Sequence, residues 1–543
     1  MSKKLLSFFP KDYEPSTNQI NIIKGVDEAF STNKKFCIVS APTGTGKSFL
    51  ATTLANASNP CTDQLKELIT SYSAFKQDNS GNYINQIECE EEPPFGAFTL
   101  TITKNLQDQY KELFNESVIF KGKTNYTCEV DKISNVDTAP CLLAPRLKED
   151  CWSCNKCTYY TNKNLALTSR HTVLNYKLFL HLPRHVKRKN YIICDEASEL
   201  ENEITRMFSL AIDIKKLHKL GFKNLTLPRT HNNKDVMDWL TNLSLEITVY
   251  IDQLIKQQNK NSNLVLGEKN RIVMLRTLFY QINTTITEWS NCEWVIDSPD
   301  RYIINITPLK INTLTKHIFD HGDQIVLMSA TIIDHKKYAQ ALGITNYNYV
   351  EAKSNFNPSQ SPIYISSKNC LNYNNKEKVL PSIAKQILEL CDVYKNDKGI
   401  IHTHSMDISN FLKKYLKGSR FLFRDEIKNN ADILNKHYNS KEPTVVVSPS
   451  LTHGVDLKDD LGRFCIVVKL PFLPLGDKRI KKLSQIDAEW YQNQMLNTLV
   501  QMCGRTTRSK NDYSATYILD GNAFRIIPNV KDKLPSHFLE RIN

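Results

Sequence analysis

The sequence predicts an α/β protein with two parallel-sheet lobes, the first of them interrupted by two insertions. Three observations carry this reading. Short Ile/Val-rich runs fall into an early and a late set, and a glycine-containing loop joins the first run to a helical pattern. Five cysteines also crowd between Cys128 and Cys157, among the strands of the early set. At 543 residues the chain exceeds one core, and about 100–200 residues per domain suggests three or four domains.

The early runs are FCIVS (36–40), LTIT (100–103), YIIC (191–194) and QIVLMS (324–329). The late runs are GIIHT (399–403), TVVVS (444–448), FCIVV (464–468) and ATYIL (515–519). Continuous apolar runs of this length read as central strands of parallel sheets covered on both faces. Between the sets the texture changes. Val236, Leu240, Leu243, Ile247, Ile251 and Leu254 keep helical spacing, as do Ile272, Leu275, Phe279, Ile282 and Ile286, with the polar KQQNKNSN between them. This predicts a helical hairpin inserted into the first lobe. The acidic, proline-containing stretch ending at ECEEEPPFG (88–96) reads as a solvated loop.

Hydrophobic residues at 41% and charged residues at 23% fit a globular protein. No run reaches the roughly 18 apolar residues that cross a bilayer, and the N-terminus lacks a secretory pattern, so a cytoplasmic protein without membrane contact is expected. Lys+Arg 70 against Asp+Glu 57 gives a net charge of +13. That modest excess suits a phosphate backbone without specifying one. Fourteen cysteines in a reducing compartment argue against a disulfide framework. Cys37, Cys194 and Cys465 lie in apolar strands and read as core residues.

In FCIVSAPTGTGKSFLATTLA, strand, loop and helix follow in the order of a phosphate-binding loop. Gly44 and Gly46, with Thr43 and Thr45 beside them, let successive N–H groups face a phosphate. Lys47 adds charge at the β/γ-phosphates, and the Ser48 hydroxyl can ligate Mg²⁺. Ala41 stands where the general pattern has its first glycine. A plain connecting turn would explain the glycines but not Lys47 and Ser48. YIICDEAS then delivers Asp195 and Glu196 at a strand end, suited to holding the metal and orienting the attacking water. Alone, such an acidic pair is usually a solvated strand end.

APTGTGKS, DEAS, SAT (Ser329–Thr331), HGVD (453–456) and QMCGRTTR (501–508) together resemble, in order, the motifs of superfamily-two helicases. GKTNYTC (122–128), CTYY (157–160), VLNYKLFL (173–180) and KLPF (469–472) are similar to the DinG/XPD branch, iron–sulfur DNA helicases that translocate 5′ to 3′. The resemblance spans about Tyr13 to Asp520, and is nearer to a phage or bacterial DinG-type protein than to the eukaryotic repair enzyme. It implies two RecA-like P-loop lobes hydrolysing ATP with Mg²⁺, an iron–sulfur insertion and an arch-like helical insertion. The expected boundaries are 1–115, 166–204 and 293–345 for the first lobe, 116–165 and 205–292 for the insertions, and 346–543 for the second lobe.

The resemblance also implies residue roles. Gln19 contacts the adenine, Thr103 and Gln109 meet the DNA backbone, and Ser329 and Thr331 couple ATP state to DNA grip. Gly454 and Asp456 face the nucleotide from the second lobe. Arg505 and Arg508, with Gln501 beside them, reach the γ-phosphate when the lobes close. Two positions depart from the branch: Ser198 replaces the histidine of DEAH, and His453 replaces a glutamate before Gly454. Both bear on coupling more than on hydrolysis.

Four thiolates among Cys128, Cys141, Cys151, Cys154 and Cys157 can hold a [4Fe–4S] cluster or a structural zinc, Cys154 and Cys157 having the spacing of a zinc pair. The resemblance implies iron–sulfur. It sets the first ligand after NYT and the last before TYY, with a third six positions earlier, giving Cys128, Cys141, Cys151 and Cys157 and leaving Cys154 as bystander. Arg146, Lys148, Lys156 and Lys163, interleaved with Trp152, Tyr159 and Tyr160, fit a single-strand channel, although packing explains the two tyrosines as well. DNA, single-stranded or at duplex junctions, is the expected partner of a monomeric enzyme; RNA–DNA hybrids stay open. If phage-encoded, the protein would work in the host cytoplasm. The competing reading is an ATP-gated nucleic-acid clamp that does not unwind.

Overall fold

The computed structural model describes residues 4–63, 66, 94–130, 132, 135–139, 141, 157–259, 266–354, 356–366, 370–372, 374–424, 430–449, 451, 457–504, 506 and 512–543. In chain order the first ten strands are β1 (Phe36–Ser40), β2 (Ala97–Thr101), β3 (Val118–Phe120), β4 (His171–Asn175), β5 (Lys189–Asp195), β6 (Leu210–Asp213), β7 (Trp294–Asp300), β8 (Ile303–Pro308), β9 (Gly322–Ser329) and β10 (Tyr347–Glu351). Seven form one all-parallel sheet, ordered β10-β1-β9-β5-β2-β4-β3. Successive strand residues face opposite sides. On β1, Ile38 enters one apolar layer while Cys37 and Val39 enter the other, and β5 divides Ile192 and Cys194 from Ile193 in the same way. Both faces are therefore dry, which is why these strands read as unbroken apolar runs.

The stretch between β5 and β9 holds a second body. β6, β8 and β7 make a three-stranded antiparallel sheet, and helices Asn233–Asn259 and Leu266–Thr287 pack over it. The stripe from Val236 to Leu254, with Ile272, Leu275 and Ile282, shares one core with Leu210, Ile212, Trp294, Ile304 and Ile306. A helical hairpin alone would leave that stripe half exposed; the sheet closes it. Residues 294–308, expected in the first lobe, thus belong with the insertion because their apolar side covers its helices. Likewise 347–351 pairs with β1, so the first lobe runs past 345.

The second lobe repeats the parallel plan with β11 (Ile363–Ile365), β12 (Gly399–His402), β13 (Phe421–Phe423), β14 (Val445–Ser448), β15 (Phe464–Val467) and β16 (Ala515–Ile518), ordered β11-β16-β15-β12-β14-β13. Its faces again alternate: Ile400, Val446 and Cys465 against Ile401, Val447 and Ile466. Helices Lys478–Ile486 and Ala488–Cys503 carry it onto the first lobe. There Glu201 is a buried hub. It accepts from Arg479 Nη2 (3.0 Å) and from Trp490 Nε1 (3.0 Å) and Gln494 Nε2 (3.1 Å), while Arg479 Nε donates to Pro308 O (2.8 Å).

Candidate nucleotide site between the two lobes

Strand β1 ends at Ser40, and Ala41–Gly46 turns into the helix Lys47–Ala57. Gly44 and Gly46 have φ of +78° and +82°, the left-handed region that glycine enters without strain. Space demands glycine too: a Cβ on Gly44 would stand 2.6 Å from the Phe356 ring, and one on Gly46 2.1 Å from Gln19 Nε2. Thr45 Oγ1 donates to Pro42 O (2.6 Å), closing the loop, and Lys47 Nζ folds back to donate to Ala41 O (3.1 Å).

Two strands away, β5 ends at Asp195, which is 4% exposed. Tyr110 Oη donates to its Oδ2 (3.1 Å), and the Ser48 hydroxyl in turn bonds Tyr110. Glu196 N donates to Asp195 Oδ1 (3.0 Å). Burial, then the adjacent Glu196 charge, raises the Asp195 carboxyl to about 6, with Lys47 and Tyr110 opposing. Glu196 adopts φ +51°, uncommon for a residue with a side chain, which turns it out of the strand.

The Asp195 carboxyl titrates near 6 when folded, against an ordinary 3.8, so the folded state binds the extra proton between these values. The unliganded protein therefore loses stability as pH rises through this window. Asp195→Asn removes the buried charge, and should raise the thermal midpoint of ligand-free protein above pH 6 relative to wild type. Scanning calorimetry across pH checks this outcome; an unchanged midpoint at pH 8 would contradict it.

From Glu196 a polar chain crosses to the other lobe. Ser329 Oγ–H at the end of β9 lies between Glu196 Oε2 (3.3 Å) and Ser198 Oγ (2.9 Å). Gln501 Nε2, from helix Ala488–Cys503, donates to Ser198 Oγ (3.2 Å) and Thr331 Oγ1 (3.1 Å). Ser198 thus stands as a junction in place of the larger imidazole. These groups edge a cleft of about 370 Å³ whose walls include Thr43, Glu196, Thr331 and Gln501.

The other expected residues divide. Thr103 and Gln109 line this cleft beside Thr43, and Thr103 also caps the helix Lys104–Leu113. Gln19 Oε1 accepts from Ser16 N (2.8 Å) in a capping box, leaving its amide nitrogen against Gly46. Tyr159 and Tyr160 are each 6% exposed. Tyr159 packs on Phe120, Tyr126 and Tyr160, and Lys163 is buried as well. Both rings lie in the first lobe's apolar core, which favours the packing alternative for these two tyrosines. Gly454, Asp456, His453, Arg505, Arg508, Cys151, Cys154, Trp152, Arg146, Lys148 and Lys156 lie outside the described residues. Cys128 and Cys141 share a small buried cluster with Ala139, and Cys157 is buried where helix Thr158–Thr168 begins. Among the described residues no three His, Cys, Asp or Glu side chains gather as a metal group, and no helix is long and apolar enough to cross a membrane.

Sequence reasoning missed Tyr110, His537 and Arg541. Tyr110 sits inside an ordinary amphipathic helix and left no signal. His537 and Arg541 both line the cleft although the helix Ser536–Leu539 ends before Arg541, so no helical pattern announced them.

Residues 387–540 match the family described as the helicase C-terminal domain. A probable ATP-dependent helicase of Methanocaldococcus jannaschii is 22% identical over 78% of this chain and 84% of its own length. A regulator of telomere elongation helicase 1 homolog of Culex quinquefasciatus is 33% identical over 106 residues, which span 17% of this chain and only 11% of that relative. In structure the chain is similar to an XPD helicase (TM-score 0.60, 16% identity, 98% of each chain). It is also similar to S. tokodaii Xpd4 (TM-score 0.53, 14% identity, 96% of this chain and 98% of that one). The fold is that of XPD helicases, two parallel-sheet lobes with a helicase C-terminal domain in the second.

Proposed function

We propose that the chain is an ATP-dependent DNA helicase and translocase, hydrolysing ATP in the interlobe cleft and moving 5′ to 3′ on single-stranded DNA. The observation that supports this most is the polar chain from Glu196 through Ser329 and Ser198 to Gln501, which gives a phosphate-side event a path to the second lobe. Lys47, Thr43 and Thr45 with Gly44 and Gly46 cradle the phosphates, and Glu196 orients the attacking water. Asp195 and Ser48 would hold Mg²⁺, which neutralises phosphate charge when bound. The buried, cation-seeking Asp195 fits that role. Arg505 and Arg508 would reach the γ-phosphate, and Gly454 and Asp456 would belong to the second lobe's nucleotide-facing motif. Thr103 and Gln109 line the cleft, which favours a part in sensing the nucleotide over a purely backbone contact.

Cys128, Cys141, Cys151 and Cys157 would hold a [4Fe–4S] cluster that braces the inserted segment. The buried Cys128–Cys141 pair, set apart from both sheet cores, is what supports this set; Cys157 packs with the first lobe's core. No step of hydrolysis depends on it. Anaerobically purified protein should carry iron and acid-labile sulfide, and Cys128→Ser should lose both; colourless protein with one zinc per chain would overturn the cluster.

The function is tested by ATPase assays with and without single-stranded DNA, beside strand displacement on DNA and hybrid duplexes with 5′ or 3′ tails. Stimulated hydrolysis with displacement from the 5′ tail is expected. Hydrolysis with no displacement on any substrate would favour the non-unwinding clamp.

A further inference from the structure

The chain ends on a second-lobe segment that reaches the phosphate-binding loop. His537 and Arg541, about one helical turn apart, both line the cleft that holds Thr43, Glu196 and Gln501. The segment is held from three sides. Phe538 is fully buried in the second-lobe core, and Ile542 bridges in parallel to Ile363 of β11. Ser536 donates through N–H (3.1 Å) and Oγ–H (3.0 Å) to Glu351, the last residue of β10 in the first lobe. Arg541 donates from Nε to Ser361 O (2.7 Å) and from Nη2 to Cys503 O (2.8 Å), fixing the turn that leaves the helix carrying Gln501.

His537 differs from His171 and His437, two other enclosed histidines. His171 has Thr99 and Ser117 on its two ring nitrogens (2.9 and 2.8 Å), and His437 has Leu461 O and Thr444 (both 2.8 Å). His537 Nδ1 is enclosed yet has no hydrogen-bond partner among the described residues. Enclosed polar atoms are nearly always paired, and this unpaired one belongs to a side chain that lines the cleft. Burial, with the charges of Arg541 and Lys47, lowers this imidazole to about 4; it is neutral and offers one N–H.

We propose that His537 is a nucleotide-contacting residue, its ring N–H donating to a phosphate oxygen of ATP held by the loop 43–48, with Arg541 as the positioning residue for the 501–504 turn. The contact comes from the lobe opposite the phosphate-binding loop, so it forms only while the lobes are together. This inference rests on the nucleotide-site reading above.

The test uses full-length protein and a fluorescent ATP analogue, with AMP as competitor. His537→Phe keeps the ring and removes both nitrogens; it should weaken binding of the analogue about tenfold and raise KM for ATP, leaving AMP affinity unchanged. His537→Gln, which restores an N–H donor, should recover most of the loss. His537→Ala should behave as His537→Phe does, and the phenylalanine variant carries the reading if alanine fails to fold. Analogue affinity within about twofold of wild type in a folded His537→Phe protein would overturn the role. If Lys47→Ala alone loses binding, the nucleotide site stands and His537 is rejected. If wild type itself binds no analogue, the nucleotide-site reading fails and takes His537 with it.

Discussion

Lys47→Ala should lower ATP hydrolysis about 10²–10³-fold while single-strand binding is largely kept. Its ammonium, resting on Ala41 O, is the described cation at the head of the helix Lys47–Ala57 and the charge that lowers Asp195. Removing it strips the phosphates of their counter-charge and leaves Asp195 and Glu196 side by side without compensation. The fold should survive, because Lys47 is only partly buried and bonds its own loop. Phosphate release with saturating single-stranded DNA is the measurement. Activity within about tenfold of wild type would place the phosphates elsewhere.

Arg479→Met should produce the largest loss of stability. The second lobe meets the rest of the chain through several ion pairs of unequal worth. Lys478–Asp297 (2.6 Å) and Lys482–Glu293 (2.5 Å) are open to solvent, and such pairs contribute at most about 1 kcal/mol each. Arg479 and Glu201 have side chains only 9% and 12% exposed. Breaking a buried pair by removing one partner costs about 3–5 kcal/mol, because the other charge is left stranded. Trp490 and Gln494 still donate to Glu201 and temper that cost, so about 3 kcal/mol is expected. For lobes of this size that is roughly a 6–12 °C drop in the midpoint of thermal unfolding. Adding Glu201→Gln, which removes the stranded charge, should recover part of it. A shift under about 1 °C for Arg479→Met would mean the pair is no more than a surface contact.

What could be read from the sequence depended on how local each feature is. The phosphate-binding loop needs only eight neighbouring residues in a strand–loop–helix order, and Asp195–Glu196 needs only a strand end. Sheet β1-β9-β5 was visible because both faces are apolar. Strand β4 was not visible as a strand, since it opens on His171 and Thr172; the structure buries them by pairing His171 with Thr99 and Ser117 from neighbouring segments. Strands β7 and β8 were hidden for the opposite reason: one side faces solvent, leaving short alternating patterns such as WVIDSPD. Tyr159 and Tyr160 stayed open in the sequence because aromatics among lysines suit a stacking channel and a packed helix equally; their burial favours packing. The partners Tyr110, Ser198 with Gln501, and His537 with Arg541 lie 85, 303 and 490 residues or so from the groups they meet, distances no motif spans.

The central claim is that hydrolysis in the interlobe cleft drives strand separation. A duplex with a 5′ single-stranded tail, incubated with wild type, ATP and Mg²⁺, tests it most directly when run beside Lys47→Ala and a 3′-tailed duplex. Displacement from the 5′ tail by wild type, and from neither duplex by Lys47→Ala, is the predicted result. Displacement that persists without ATP or in Lys47→Ala, or none at all from a protein that hydrolyses ATP on single-stranded DNA, would contradict it.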